Sequence, residues 1–165
     1  MIDKNREQNP ARSMNQLSDI IAQEEKYQFD KFGPGDAIAL AKIMMKNETE
    51  WGRPVAFRID LNGYTVFQYL PEGTGRLNAR WLAKKANMVV TLGWSTMRLW
   101  TWQESEGMMR NPEIFPDAEI TPCGGGFPIT VKGCGVVGAI AVTALGDQSE
   151  HDFIIDSLEK FREWN

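Results

Sequence analysis

Asn62-Gly63 divides the run VAFRIDLNGYTVFQYL into two stretches rich in β-branched and aromatic residues. That dipeptide supplies positive φ at both centres of a type I′ turn, the two-residue connection whose twist matches paired antiparallel strands. The spacing therefore predicts a β-hairpin. A second pair follows near the C-terminus, where Gly126 to Val131 and Val136 to Leu145 read as strands joined by a tight Lys132-Gly133 turn. Two hairpins favour an antiparallel sheet with helices packed on it over a doubly wound parallel sheet.

Helical periodicity fills the rest. Leu17, Ile20 and Ile21 with Glu24 and Glu25 predict a first amphipathic helix ending before Phe29. Gly33-Pro34-Gly35 breaks the chain, and Asp36 is placed to cap a second helix through IALAKIMMKNETEW. Its apolar positions Ile38, Leu40, Ala41, Met44 and Met45 cover much of the circumference, which predicts a largely buried helix. Further helices are predicted over Asn78 to Leu92 and Ser95 to about Glu104, with an irregular proline-containing stretch from Gly107 to Pro122. In the last helix Ser149 and Asp152 resemble a capping box, and Ile154, Leu158 and Phe161 form its inward stripe.

Bulk properties bound the function. The 165 residues fit one domain, which at this size buries roughly 70% of the unfolded chain's surface. Residues 1–12 are polar and expected to fray, leaving 13–165 as a single domain. The opening MIDKNREQNPARS lacks the apolar centre of a secretion signal, and no apolar run approaches the ~20 residues of a membrane span, so a cytoplasmic protein is expected, with no membrane partner. Cys123 and Cys134 are too few to staple the domain and read as free thiols in a reducing compartment. With one histidine and no CxxC, structural zinc is excluded. A formal charge of −4 and a pI near 5.1 argue against nucleic acid as a partner.

Several segments have chemistry to offer, each beside a structural explanation. Gly133 to Gly138 formally matches GxGxxG, but a dinucleotide loop must open a helix, whereas AIAVTAL continues as strand. Six of the fifteen glycines lie between Gly124 and Gly138. Close strand or subunit packing explains them more readily than backbone laid against a flat ligand, although Gly124, Gly125 and Gly126 qualify for either role. Arg76, Arg80 and Lys84 recur every four residues with Lys85 adjacent, and like charges so spaced repel unless partnered by a neighbouring segment or an anionic ligand. Asn78 and Trp81 on the same segment add an amide and an amphipathic ring suited to a pocket mouth. His151 is the one side chain poised for proton transfer near neutral pH and the one histidine able to ligate iron; Glu150 beside it is the acidic candidate. Expected in the first turn of the last helix, its imidazole would be kept neutral by the helix dipole. A local hydrogen bond supporting the turn is the structural alternative. No GxSxG, Walker loop, HExxH or close catalytic carboxylate pair is present.

Two of these segments together resemble the haem-degrading-domain superfamily, in its uncharacterised branch related to HbpS-like, GlcG-like and PduO C-terminal proteins. GTGRLNARWLAKKANMVVTLGWST is similar to that branch's Gly-Thr, Asn-x-x-Trp and x-Lys pattern. GGGFPITVKGCGVVGAIAVTALGDQSEHDFIIDSL resembles its GGG-x-P-I, Gly-x-x-Gly-x-I and Asp-His segments. Two departures stand out: Thr143-Ala144-Leu145 replaces the usual Ser-Gly-Leu, and Glu150 replaces the usual Asp before His151. The resemblance covers about Gly52 to Leu158 and implies an α+β, profilin-like antiparallel sheet flanked by helices in two or three layers, assembled as a homo-oligomer. It implies haem or another small anionic ligand as the cofactor class, with His151 as the candidate iron ligand. The alternative is a non-enzymatic oligomeric scaffold or interaction module whose glycines and aromatics serve subunit packing.

Overall fold

The computed structural model describes residues 17–106 and 123–164. The segments expected to fray (1–12) or run irregularly (107–122) lie outside the described residues. Helices α1 (Leu17–Lys26) and α2 (Pro34–Trp51) lead into hairpin β1 (Ala56–Leu61) and β2 (Tyr64–Tyr69). Helices α3 (Arg76–Leu92) and α4 (Thr96–Glu106) precede hairpin β3 (Gly126–Val131) and β4 (Gly135–Thr143), and α5 (Asp147–Trp164) closes the chain. All three strand pairings are antiparallel and the strand order is β2-β1-β4-β3. Both expected hairpins thus join one sheet, their inner strands β1 and β4 paired to each other.

The first turn is as the dipeptide demands, with φ of 49° at Asn62 and 83° at Gly63. The second is a residue longer than expected: Lys132-Gly133-Cys134 connects β3 to β4, and Cys134 N–H bonds to Val131 O at 3.0 Å. Strand alternation then sorts the layers. Phe57, Ile59, Leu61, Ile140 and Val142 face α2 and α5, packing with Leu40, Met44, Phe153 and Leu158. Ala56, Ala139 and Ala141 face the other way, meeting Leu82, Ala86 and Val89 of α3. Three alanines on that face let α3 lie close to the backbone. The result is three layers, with α3 on one face of the sheet and the α2–α5 pair on the other.

Two expectations shift. Asp36 acts from inside α2, since the helix starts at Pro34 and Asp36 Oδ2 accepts the Gly33 N–H at 2.8 Å. The helix is also less buried than its composition predicts: Ala37, Leu40, Ala41, Met44 and Asn47 face inward, whereas Ile38 is 36% exposed. One sheet face covers one side of a helix, and nothing among the described residues seals the other. The β3 edge is covered by the segment after α1, where Phe29 N–H bonds Thr130 O at 2.8 Å and Lys132 N–H bonds Phe29 O at 2.9 Å. No helix among the described residues is long and apolar enough to cross a membrane.

Candidate functional site

Asn78 sets where α3 begins, its Oδ1 accepting the Gly75 N–H at 3.0 Å. From there the helical period turns Leu82, Lys85, Ala86 and Val89 inward. Lys85 is the exception among these apolar neighbours, and its Nζ reaches Glu150 Oε2 at 2.5 Å and Val142 O, near the end of β4, at 2.9 Å. Both side chains are almost fully buried. A buried charge is tolerable only when paired and hydrogen-bonded, and the carboxylate is further satisfied: Glu150 Oε1 accepts the N–H groups of Leu145 and Gly146, each at 3.2 Å. One side chain on α5 thereby ties α3, the end of β4 and the start of α5 together.

The triple glycine threads through this junction. A Cβ on Gly124 would lie 2.5 Å from Asp147 O. On Gly125, where φ is +98°, it would lie 2.5 Å from Val142 O and 2.7 Å from Glu150 Oε2. On Gly126 it would meet Thr96 Cγ2 at 2.7 Å and Val89 Cγ2 at 2.8 Å. The backbone is fixed there by hydrogen bonds from Gly126 N–H to Thr96 Oγ1 at 2.8 Å and from Val142 N–H to Gly125 O at 2.7 Å. The three glycines are where α3, α4, β4 and α5 converge too closely for any side chain.

His151 adjoins the junction but is 0% exposed. Its Nε2 lies 2.7 Å from Gln23 Oε1 on α1, and its ring centroid is 6.0 Å from that of Phe127. Nδ1 is buried without a hydrogen-bond partner among the described residues. Desolvation pushes the imidazole pKa down to about 4, so the ring is neutral at physiological pH. Helix α5 starts at Asp147, which puts His151 beyond the first turn, so burial and not the helix dipole sets its charge state. The expected Ser149 cap is displaced for the same reason: Gly146, at φ +96°, turns the chain, and Glu150 takes the backbone donors at this end.

Lys85, Glu150, the glycines and His151 are therefore brought together, whereas Asn78 and Trp81 are not part of that junction. Asn78 caps its own helix, and half-buried Trp81 carries Lys84 Nζ 5.3 Å from its ring centroid. Arg76 and Arg80 are exposed on α3. Sequence reasoning missed Thr96, whose hydroxyl holds Gly126, and Gln23, which closes over His151. Ser95, the expected start of α4, lies one residue before it, and its Oγ accepts the Arg98 N–H at 3.1 Å, while Glu24 of α1 binds both Ser95 N–H at 2.7 Å and Arg98 at 2.8 Å. That pairing fastens α1 beside the junction.

A neutral imidazole with one unpartnered nitrogen has the electronic state of an iron ligand. Access is the obstacle, because no part of the ring meets solvent and Gln23 occupies the other nitrogen. His151 does not fit a haem bound to this arrangement of α1.

Similarity to known proteins agrees with the architecture. A UPF0303 protein of Rhizobium etli is 31% identical over 144 residues, covering 87% of this chain and 88% of that protein. Among solved structures, Ybr137w superposes with a TM-score of 0.79 at 21% identity, covering 89% of this chain and 88% of that one. A PduOC–haem complex superposes with a TM-score of 0.67 at 15% identity, covering 78% of this chain and 93% of that one. The fold is the α+β, profilin-like arrangement expected from the sequence. The profile of the family described as haem degrading protein HbpS-like matches residues 32–159, and the chain belongs to that family.

Proposed function

We propose that this chain binds haem or another flat, amphipathic small ligand and works as a homo-oligomer. One observation favours binding over catalysis: each ionisable group at the candidate site is used inside the fold. Lys85 and Glu150 satisfy each other, and His151 is neutral and covered. Acid–base catalysis needs a group within reach of substrate, and these are out of reach. The ligand class is supported by the family's description and by the PduOC relative of this fold that was solved with haem. Haem held by this chain would be gripped by surface contacts, with His151 in a supporting role beneath α1.

Exposed apolar side chains support self-association. Leu77 is 66% and Val90 53% exposed on α3, and Tyr64 is 51% exposed on the edge strand β2, which carries no charged residue. The same observation favours the second reading, an oligomeric scaffold without a ligand. Size-exclusion chromatography with light scattering, run with and without haemin, separates the two. Haem absorbance eluting with a multi-chain peak is expected; a multi-chain peak free of haem leaves the scaffold, and a haem-free monomer refutes both.

A further inference from the structure

The outer face of α2 carries an apolar strip beside its lysines, with Ile38 36% exposed and Ala39 and Ile43 half-buried. Ile38, with Ala39 and Ile43, forms one wall of a groove of about 550 Å3, and the opposite side is Trp164 at the end of α5, 68% exposed. That volume falls within the range of small-molecule sites. Lysines stand around this apolar surface. Lys160 is committed, bonded to Asn47 Oδ1 at 2.6 Å, Glu50 at 2.7 Å and Asp156 at 3.2 Å. Lys42 and Lys46 are different: they lie one turn apart on α2, both exposed, with no carboxylate partner among the described residues. Like charges at that spacing repel, and although the chain has 22 acidic residues against 18 basic ones, the acidic residue lining the groove, Glu50, is taken by Lys160. An apolar floor with two unmatched cations is complementary to a molecule that is itself apolar and anionic.

We infer that the groove between α2 and α5 binds a small amphipathic carboxylate, its apolar body against Ile38, Ile43 and Trp164 and its carboxylates at Lys42 and Lys46. For a haem-class ligand this rests on the binding reading above and gives it a place; the groove's own chemistry asks only for an apolar body and a carboxylate. Neither lysine supports the core, so charge reversal leaves the fold intact.

The test titrates the full chain with dodecanoate, dodecyltrimethylammonium and haemin, following tryptophan emission and heat. The variants are Lys42→Glu/Lys46→Glu, Trp164→Phe, and Arg76→Glu/Arg80→Glu as an equal charge change outside the groove. Dodecanoate is expected to bind saturably and the cationic analogue not to. Lys42→Glu/Lys46→Glu should weaken dodecanoate about tenfold or more, while Arg76→Glu/Arg80→Glu stays within about twofold. Trp164→Phe should remove most of the emission change. Absence of dodecanoate binding, or equal losses in both charge variants, overturns the inference. Haemin binding that ignores Lys42→Glu/Lys46→Glu overturns the groove as the haem site and leaves the binding function standing. Dodecanoate binding lost in Lys42→Glu/Lys46→Glu, with haemin bound by no variant, removes haem and leaves the groove.

Discussion

Lys85 on α3 and Glu150 on α5 meet at 2.5 Å beside Gly125, just before β3, joining the helical layers on the two faces of the sheet through a buried ion pair. Removing one partner strands the other charge in a dry environment, a change that costs about 3–5 kcal/mol. Lys85→Met and Glu150→Gln should each destabilise by that order in urea unfolding. The double variant should lose less than either single change, because Gln keeps an acceptor for Leu145 and Gly146 while no charge is left unpaired. Additive losses in the double variant would show that the two side chains act independently.

The glycines divide into two kinds. Gly125 has φ of +98° and backbone and carboxylate oxygens within 2.7 Å of a would-be Cβ; Gly133, at φ +76°, has open space around it. Gly125→Ala should cost about 2–4 kcal/mol, and Gly133→Ala about 1–2 kcal/mol from backbone strain alone. Thermal unfolding of both variants checks the order; equal losses would mean that crowding at Gly125 is absent.

Ala144 sits at φ +96°, a conformation that suits glycine. It lies between Thr143 and Leu145 in an exposed turn. Ala144→Gly is therefore expected to stabilise the chain by about 1 kcal/mol, relieving native-state strain that exceeds the added freedom of the unfolded chain. A lower melting temperature for Ala144→Gly would contradict this.

Much of this fold is legible locally. Asn62-Gly63 marks its hairpin because few other dipeptides accept that turn, and the α5 stripe of Ile154, Leu158 and Phe161 packs inward as its period requires. Charge alone does not reveal which basic residue of Arg76, Arg80, Lys84 and Lys85 turns inward. The signal lay in the apolar neighbours Leu82, Ala86 and Val89 and in the alanines of the facing strands. Gln23 and Thr96 were invisible because their partners, His151 and Gly126, are distant in sequence. The outer face of α2 departs for the opposite reason: Ile38 looks like a core residue, yet it is exposed and borders a groove.

Burial depresses the His151 pKa from 6.5 to about 4, so the fold favours the neutral ring. The contribution is whole above pH 6.5 and is lost as pH falls toward 4, because the unfolded chain takes up a proton that the native state refuses. Across that window wild type should lose up to about 3 kcal/mol from this group. His151→Gln, which retains a hydrogen-bonding group toward Gln23, should show a flatter dependence between pH 6.5 and 4. Superimposable pH profiles would show that His151 is hydrated in the native protein.

Haemin absorbance titration of the purified protein is the most direct test of ligand binding. A saturable shift of the haem band, kept in His151→Gln because the imidazole lies covered beneath α1, is the expected result. A spectrum of free haemin unchanged at every protein concentration would contradict it.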